Sequence, residues 1–420
     1  MVVSKQAAAK AAEKEPSRMN RPHYAWLVCL GGALTLLSTV GLGVNVFAVY
    51  QPEIIALRHF TNAQGSLITT VRSLFILIAL LTVNRVCARL GLRRSMTLGV
   101  VLIALSCFCF GAARAFWQYC VAAAFTGLGY CYGGMVPLSL LIGRWFRLRR
   151  NLALGLASAG SGVASIAASP LLARVMEKQG LQAAFWWEGA VLIVLAAAVW
   201  LLVRSDPAQL GLEPLGGAAP KADAPHSGSS SGPPAYLAAM AAGFLIGGVG
   251  GPGFSHLTVH YATLGYAPLF LAGLVSASGV CICVGKVLCG QIYDRWGAAA
   301  GDSYCYLGVM AGTALCCLPA GEGPLLPVLA VGLFSLGLPI SAVSPSVWAA
   351  DLAGPGDFPR AVQAINLAYT VGVILFGPVP GLLADRTGSY VPAYLLFAAL
   401  LTLAIVLVRM AYVRANRQKV

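Results

Sequence analysis

Charged residues are scarce in this chain of 420 residues: only 10% are Asp, Glu, Lys or Arg, and 14 are acidic. A water-soluble domain carries charge at about a quarter of its positions. Apolar residues make up 58% of the sequence, and the mean hydropathy is +0.79. This composition excludes an ordinary soluble domain and predicts an integral membrane protein.

Acidic residues are also outnumbered by basic ones, which gives a formal net charge of +14. Basic residues gathered on one face or in one patch would indicate nucleic-acid binding. Here they lie between apolar runs, so no nucleic-acid partner is predicted.

Metal-site and nucleotide-site patterns are missing as well. The 12 cysteines lie mostly inside apolar runs, and no Cys-x-x-Cys pair with downstream histidines occurs. Gly279–Val287 has the wrong spacing for a phosphate-binding loop, and no set of nucleophile and base is visible. We therefore predict no metal, no cofactor and no enzymatic activity.

Twelve apolar stretches are present, each near the roughly 20 residues that a helix needs to cross a bilayer. They form two groups of six, 24–203 and 235–412, which predicts an all-α membrane protein of twelve helices in two pseudo-symmetric six-helix bundles. Their expected bounds are 24–50, 63–84, 95–113, 116–142, 152–175, 183–203, 235–260, 268–290, 302–320, 324–348, 361–383 and 390–412.

The segments outside the apolar stretches are polar. Residues 1–23 form a basic tail, 413–420 a short second tail, and 204–234 is rich in Pro, Gly and Ser, which predicts a flexible linker. Because Lys and Arg concentrate in alternate loops, both tails and the linker are predicted to be cytoplasmic. The short linker and tails favour a bacterial inner membrane.

Weak repeats relate the two groups of helices. The pattern Arg89-Leu90-Gly91 recurs as Arg295-Trp296-Gly297, at an offset of 206 residues. Likewise, Leu171–Arg174 resembles Leu382–Asp385, at an offset of 211 residues. Similar offsets at equivalent helices indicate an internal duplication, which is typical of secondary transporters.

Two firm charges lie within the apolar cores, Arg72 and Lys286, whereas Glu53 and Glu188 are expected near helix ends. Lys286 is eight residues from the charged turn at Asp294, or about 12 Å into the layer. A lone cation at such a depth costs about 2.5–3.5 kcal/mol. Buried positive charge favours binding of an anionic ligand. For Arg72, a purely structural role is an equal alternative.

Polar residues near helix midpoints could complete an anion site, because hydroxyl and amide groups hydrogen-bond carboxylates. The alternative is ordinary bonding between helices. These candidates are Asn45, Tyr50, Tyr130, Tyr132, Asn366 and Tyr369. His256 and His260 share a helix face and are candidates for proton coupling, with interfacial residues as the alternative. Gly247–Gly253 predicts a bend or break in the seventh helix.

The turn pattern Gly290-x-x-x-Asp294-Arg295-x-Gly297, with an altered copy at Ala88–Arg94, resembles the Major Facilitator Superfamily across nearly the whole chain. Within that family, Gly143–Ser161, Asp351-x-x-Gly-Pro and Gly377–Tyr390 resemble the branch of monocarboxylate transporters and oxalate/formate antiporters.

The resemblance implies a transporter of small organic carboxylates coupled to protons or to a counter-anion, working in the bilayer as a monomer. Lys286 matches the family's substrate-binding cation on the eighth helix. An Asp that accepts backbone hydrogen bonds at a helix end could act as a gate. The gating candidates are Asp294, Arg295, Arg89, Arg149 and Arg150.

Two departures limit the resemblance. Ile282 stands where mammalian-type monocarboxylate transporters place an acidic residue, and the eleventh helix lacks the second cation of the dicarboxylate exchangers. These features favour a monocarboxylate, unless Arg72 supplies the second cation. Transport of another amphipathic anion or drug, and a membrane sensor on a transporter scaffold, remain alternatives.

Overall fold

The computed structural model describes residues 23–60, 62–217, 236–266, 268–319, 323–353 and 357–417. These residues are almost entirely helical, and the only β-pairing among them is an isolated bridge between Phe146 and Leu215. The predicted N-terminal tail lies outside the described residues, apart from its last position.

Six helices form the N-terminal half. They are α1 (Ala25–Leu36, the π-helical Leu37–Asn45 and Phe47–Arg58), α2 (Asn62–Leu90), α3 (Leu92–Ala112), α4 (Phe116–Tyr132 and Met135–Trp145), α5 (Arg150–Gln179) and α6 (Leu181–Leu202).

Six more form the C-terminal half. They are α7 (Tyr236–Thr263), α8 (268–296), α9 (298–316), α10 (Leu325–Gly337, the 3-10 turn Leu338–Ser341 and Ser344–Leu352), α11 (Phe358–Phe376 and Val379–Thr387) and α12 (Val391–Arg417).

Helices α8 and α9 are continuous in hydrogen bonding but turn sharply at Gly297. Its φ of 79° lies in the left-handed region that glycine adopts without strain. Eleven segments of the described chain are long and apolar enough to cross a membrane, and one of them, Gly273–Cys316, contains both α8 and α9. The predicted fold of twelve membrane-spanning helices is therefore confirmed.

Of the bend or break predicted for the seventh helix, the break is excluded, because α7 is continuous from Tyr236 to Thr263 through Pro252. Its glycines instead allow close packing on α11: a Cβ at Gly247 would collide with the backbone oxygen of Tyr369. A neighbouring helix at this distance supports a helix that contains Pro and Gly. The interruptions lie in α1, α4, α10 and α11.

The two halves meet along α5 and α8. A Cβ at Gly155 would collide with the backbone oxygen of Lys286, and one at Gly290 with that of Asn151. Two glycines, one on each helix, thus allow the backbones to touch. Small residues at such contacts are typical of helix packing in membranes.

The first part of the predicted linker is not flexible. Leu215 donates its N–H to the Trp145 oxygen at 2.8 Å, and its own oxygen accepts from the N–H groups of Arg147 and Leu148 at 2.9 and 3.0 Å. The flexibility predicted from composition therefore does not hold for 204–217, because backbone pairing with the loop between α4 and α5 fixes this segment. Residues 218–234 lie outside the described residues.

Candidate functional site

Lys286 lies on α8 at the boundary between the halves and is 8% exposed. Its Nζ donates to the Ser158 carbonyl oxygen at 3.0 Å and to the Ser161 Oγ at 2.8 Å, both on α5. Among the described residues no carboxylate is within ion-pair distance of Lys286. An ammonium has three hydrogens to donate. The cation is thus held by the opposite half through neutral oxygens, with its positive charge uncompensated.

Asn45 belongs to the same neighbourhood. Asn45 is the last residue of the π-helical stretch in α1, and its Nδ2 donates to the Ser161 carbonyl oxygen at 3.4 Å. Ser161 thereby links the predicted residues Asn45 and Lys286. The structure brings together α1, α5 and α8 at this point.

Arg72 on α2 lies deep in the N-terminal half, with its guanidinium carbon 5.6 Å from the centre of the Phe47 ring. Its Nε is buried and has no hydrogen-bond partner among the described residues. Leaving a buried donor unsatisfied costs about 1–3 kcal/mol, and more for a charged group. An arginine held in this way is available to an anionic ligand.

Tyr130 and Tyr369 extend this arrangement across both halves. Tyr130 on α4 is within electrostatic reach of Arg72 and of Tyr369 on α11. A side-chain hydrogen bond joins Tyr369 to Ser341, in the 3-10 turn of α10. Polar groups from α2, α4, α10 and α11 therefore form a second cluster, and three of its four members are predicted substrate residues.

Tyr50 does not join either cluster. It is 1% exposed, its hydroxyl donates to Glu188 Oε2 at 2.7 Å, and its ring stacks on Phe185 with centroids 4.1 Å apart. Glu188, expected near a helix end, lies about two turns after the start of α6 and is buried, with 3% exposed. This hydrogen bond inside the N-terminal half does not favour the predicted contact of Tyr50 with substrate.

Two other candidates bond within their own half. Tyr132 shares a hydrogen bond of 3.0 Å with Thr82 Oγ1 on α2. Asn366 donates to the Val362 oxygen, one turn earlier in α11, at 2.8 Å. These contacts fit the alternative of bonding between and within helices.

The two histidines face α12 and lie at the end of α7. His260 is 3% exposed and contacts the rings of Tyr390 and Tyr394, with centroids 6.2 and 5.3 Å away. His256 Nδ1 is 2.9 Å from the Pro252 oxygen. Their contacts lie within the C-terminal half, and their role in proton coupling remains a prediction.

Asp294 joins the halves at the end of α8. Its carboxylate oxygens accept the backbone N–H groups of Asn151 at 3.1 Å and Leu152 at 2.7 Å. These belong to the first turn of α5, where unpaired N–H groups and the helix dipole favour negative charge. Asp294 thus caps a helix of the opposite half, as the gating hypothesis requires.

Other contacts reinforce this end of the boundary. Asn84 Nδ2 on α2 donates to the Pro359 oxygen at 2.8 Å and to Gln363 Oε1 at 2.7 Å on α11, and Gln363 Nε2 donates to the Leu80 oxygen. The Arg150 guanidinium lies 4.7 Å above the Phe358 ring. Two predicted gating residues, Asp294 and Arg150, therefore contact the opposite half.

The remaining gating candidates lie on the surface. Arg89 and Arg295 are exposed at the ends of α2 and α8. Arg149 is exposed too, and its φ of 57° makes the left-handed turn that starts α5. Their placement fits solvated turns that set the geometry of neighbouring groups.

A buried acid was missed by sequence analysis. Asp302, 0% exposed near the start of α9, accepts hydrogen bonds on Oδ1 from the Tyr293 hydroxyl at 2.5 Å and from Trp348 Nε1 at 2.9 Å. The interpretation that Arg72 and Lys286 are the two firm charges within the apolar cores therefore missed a buried acidic side chain. A signal was available, since Asp302 follows Gly297 by only five residues and opens an apolar run.

Two six-helix halves that meet at a buried lysine, hydrogen-bonded across the boundary, are the architecture of a membrane transporter. The comparisons with known proteins agree. The Major Facilitator Superfamily model matches residues 32–338, and the chain belongs to this superfamily. It is an integral, multi-pass membrane transporter rather than an enzyme.

The relatives place it in the monocarboxylate-transporter-like branch. The chain is 25% identical over 390 residues to "Monocarboxylate transporter 13" of Bos taurus, a match that covers 90% of this chain and 87% of the relative. It is 27% identical over 320 residues to "Monocarboxylate transporter 12" of Xenopus laevis, covering 67% of this chain and 65% of the relative.

Solved structures show the same fold. The transporter FucP in the outward conformation has a TM-score of 0.68 at 17% identity, covering 92% of this chain and 98% of FucP. The proton:xylose symporter XylE has a TM-score of 0.72 at 12% identity, covering 91% and 94%. At this identity the likeness concerns the fold alone.

Proposed function

We propose that this protein transports a small organic anion, most simply a monocarboxylate, by alternating access, with Lys286 as the main anion contact. The observation that carries the proposal is a buried ammonium between the halves, bonded to Ser158 and Ser161 without a carboxylate within ion-pair distance among the described residues. The similarity to monocarboxylate transporters 12 and 13 supports the same substrate class.

The chemistry follows from charge and burial. A carboxylate that reaches Lys286 can accept a hydrogen bond from the third N–H of the ammonium and compensate its positive charge in a low-dielectric environment. Because the other two hydrogens bond to α5, binding acts at a point where both halves meet. Movement of one half against the other would then depend on whether the anion is bound.

Arg72 is the second cation in this proposal. Its buried Nε lacks a partner in the described part of the chain, and Tyr130 and Tyr369 lie within reach of the same cluster. A substrate with one carboxylate would need one of the two cations, and a longer anion could use both. Comparing the binding of oxalate, which has two carboxylates, with that of formate, which has one, distinguishes these cases.

Orientation and location also belong to the proposal. The concentration of Lys and Arg predicts that the end bearing Asp294, together with both termini, faces the cytoplasm. The relatives compared are proteins of cattle and frog, so they do not support the expected bacterial inner membrane.

The test is uptake by purified protein reconstituted in liposomes, with radiolabelled formate, lactate and oxalate, each with and without a pH gradient. Lys286→Ala should abolish carboxylate uptake, whereas Lys286→Arg should retain part of it because the charge is kept. Stimulation by an acidic outside would indicate proton symport, and stimulation by an internal anion would indicate exchange.

A matched control is Lys178→Ala, which removes an exposed lysine at the end of α5. It should leave uptake unchanged. Full carboxylate uptake by Lys286→Ala in a normally folded preparation would contradict the proposed role. Uptake of an unrelated amphipathic anion that no carboxylate competes with would favour the alternative substrate class.

A further inference from the structure

A groove on the outer surface of the C-terminal half lies between α9 and α12. It has a volume of about 590 Å³. Its lining includes two arginines, Arg409 and Arg414, and the polar side chains of Ser303 and Tyr306, next to apolar residues of α12 such as Val406 and Met410. This groove is separate from Lys286 and from the contacts between the halves.

The basic end of the groove is fixed in place. Arg409 Nη2 donates to the Ala299 oxygen at 2.7 Å and to the Ser303 Oγ at 2.8 Å. These two acceptors lie in the first turns of α9, directly after the bend at Gly297. Arg409 is therefore level with the end of the molecule that carries the charged turn, and Arg414 lies further out along α12.

The other end of the groove is lined by Ile405 and Val406, next to a hydrogen bond between α9 and α12. The Tyr306 hydroxyl and Thr402 Oγ1 are 3.3 Å apart and join α9 to α12. Along α12 the groove is lined from Ile405 to Arg414, over which the helix rises about 14 Å. The groove thus runs from the level of the membrane surface into the apolar layer, with positive charge only at its outer end.

Carboxylates do not compensate this charge inside the groove. Asp302 lies within electrostatic reach of Arg409, but it is buried on the core side and bound to Tyr293 and Trp348. The lining in the described part of the chain contains no Asp or Glu. A ligand must therefore bring its own negative charge.

We propose that this groove is a binding site for one anionic phospholipid. The phosphate would pair with Arg409 and Arg414, and an acyl chain would lie along Val406 and Met410. Basic pockets between helices at a membrane surface recognise anionic headgroups in this way, while the apolar wall accounts for the lipid tail. The site does not depend on which substrate the transporter carries.

The test uses the full-length protein in detergent, with dioleoylphosphatidylglycerol and dioleoylphosphatidylcholine as probes. Native mass spectrometry should show one phosphatidylglycerol that stays bound under conditions that remove phosphatidylcholine. Arg414→Gln, and more strongly Arg409→Gln with Arg414→Gln, should weaken phosphatidylglycerol binding, by roughly thirtyfold for the pair. Arg386→Gln, at an exposed site at the end of α11, should leave it unchanged.

Val406→Trp gives an independent variant, because it fills the groove from an exposed position and keeps both arginines. It should also displace the bound lipid. Equal retention of both phospholipids, or unchanged phosphatidylglycerol binding in the Arg409 and Arg414 double variant, would overturn the proposal. The proposal would also be overturned if inorganic phosphate raised the midpoint of thermal unfolding as much as phosphatidylglycerol does. A stable dimer that covers the groove, detected by light scattering, would overturn it as well.

Discussion

The carboxylate of Asp294 accepts a hydrogen bond of 2.7 Å from the backbone N–H of Leu152, which belongs to the opposite six-helix half. A single side chain at the end of α8 thereby satisfies the first turn of α5. The interaction couples the relative position of the halves to the capping of a helix, which gives a specific physical meaning to the predicted gate.

Asp294→Ala is expected to loosen this end of the boundary. Loss of a helix cap costs about 0.5–2 kcal/mol, so amide exchange in the first turn of α5 should accelerate several-fold. Hydrogen exchange with mass spectrometry measures this directly. Asp294→Asn keeps one acceptor oxygen and should be intermediate.

The control for the gate is Asp385→Ala, at an exposed site in the second part of α11. It should leave exchange near Asn151 and Leu152 unchanged. If Asp294→Ala also left it unchanged, the hydrogen bonds would contribute nothing to this contact.

Gly155→Ala is expected to disturb the contact between α5 and α8. The added Cβ would collide with the backbone oxygen of Lys286, and overpacking of this kind costs about 1–3 kcal/mol. We expect a lower midpoint of thermal unfolding in detergent and slower uptake in liposomes.

Gly273→Ala provides the comparison for Gly155→Ala, because a Cβ at Gly273 in α8 would meet no atom within 4 Å. Its unfolding midpoint should equal or slightly exceed that of the unchanged protein, because alanine is about 0.8–1.0 kcal/mol more favourable than glycine in a helix. Equal behaviour of the two variants would show that the helices separate easily at Gly155.

Tyr50→Phe tests the buried pair in the N-terminal half. The variant removes the donor to Glu188, and a typical intramolecular hydrogen bond contributes about 0.5–1.5 kcal/mol. The midpoint of thermal unfolding should fall with Tyr50→Phe. Glu188→Gln should lower it less, because an acceptor oxygen remains. The double variant measures the coupling between the two positions.

The exposed residue Glu177 is the control for this pair, and Glu177→Gln should leave stability unchanged. A changed KM for carboxylate in Tyr50→Phe at normal stability would support the earlier prediction that Tyr50 contacts substrate. Lower stability at an unchanged KM would support the structural role.

Sequence analysis predicted the helices well, because the bilayer imposes a length and an apolar composition on each crossing. Even the bend at Gly297 agrees with the charged turn, where a left-handed glycine ends α8. The continuous α7 was harder to predict. Pro252 and its neighbouring glycines weaken an isolated helix, but packing on α11 decides the outcome.

The candidate site was predicted only in part. Lys286 and Arg72 stand out because a cation is rare in an apolar run. Ser158 and Ser161 do not, since small polar residues are common in membrane helices and their orientation depends on how α5 and α8 are rotated. Glu188 and Asp302 were misjudged for a related reason: burial depends on partners from distant parts of the chain, such as Tyr50 and Trp348.

The pairing of Leu215 with both Trp145 and Leu148 changes where the covalent connection between the halves is anchored. Mechanically, the connection leaves the N-terminal half at the start of α5 and not at the end of α6. Shortening the connection would therefore place tension first on the loop that positions Arg149 and the capped turn of α5, and only afterwards on α6.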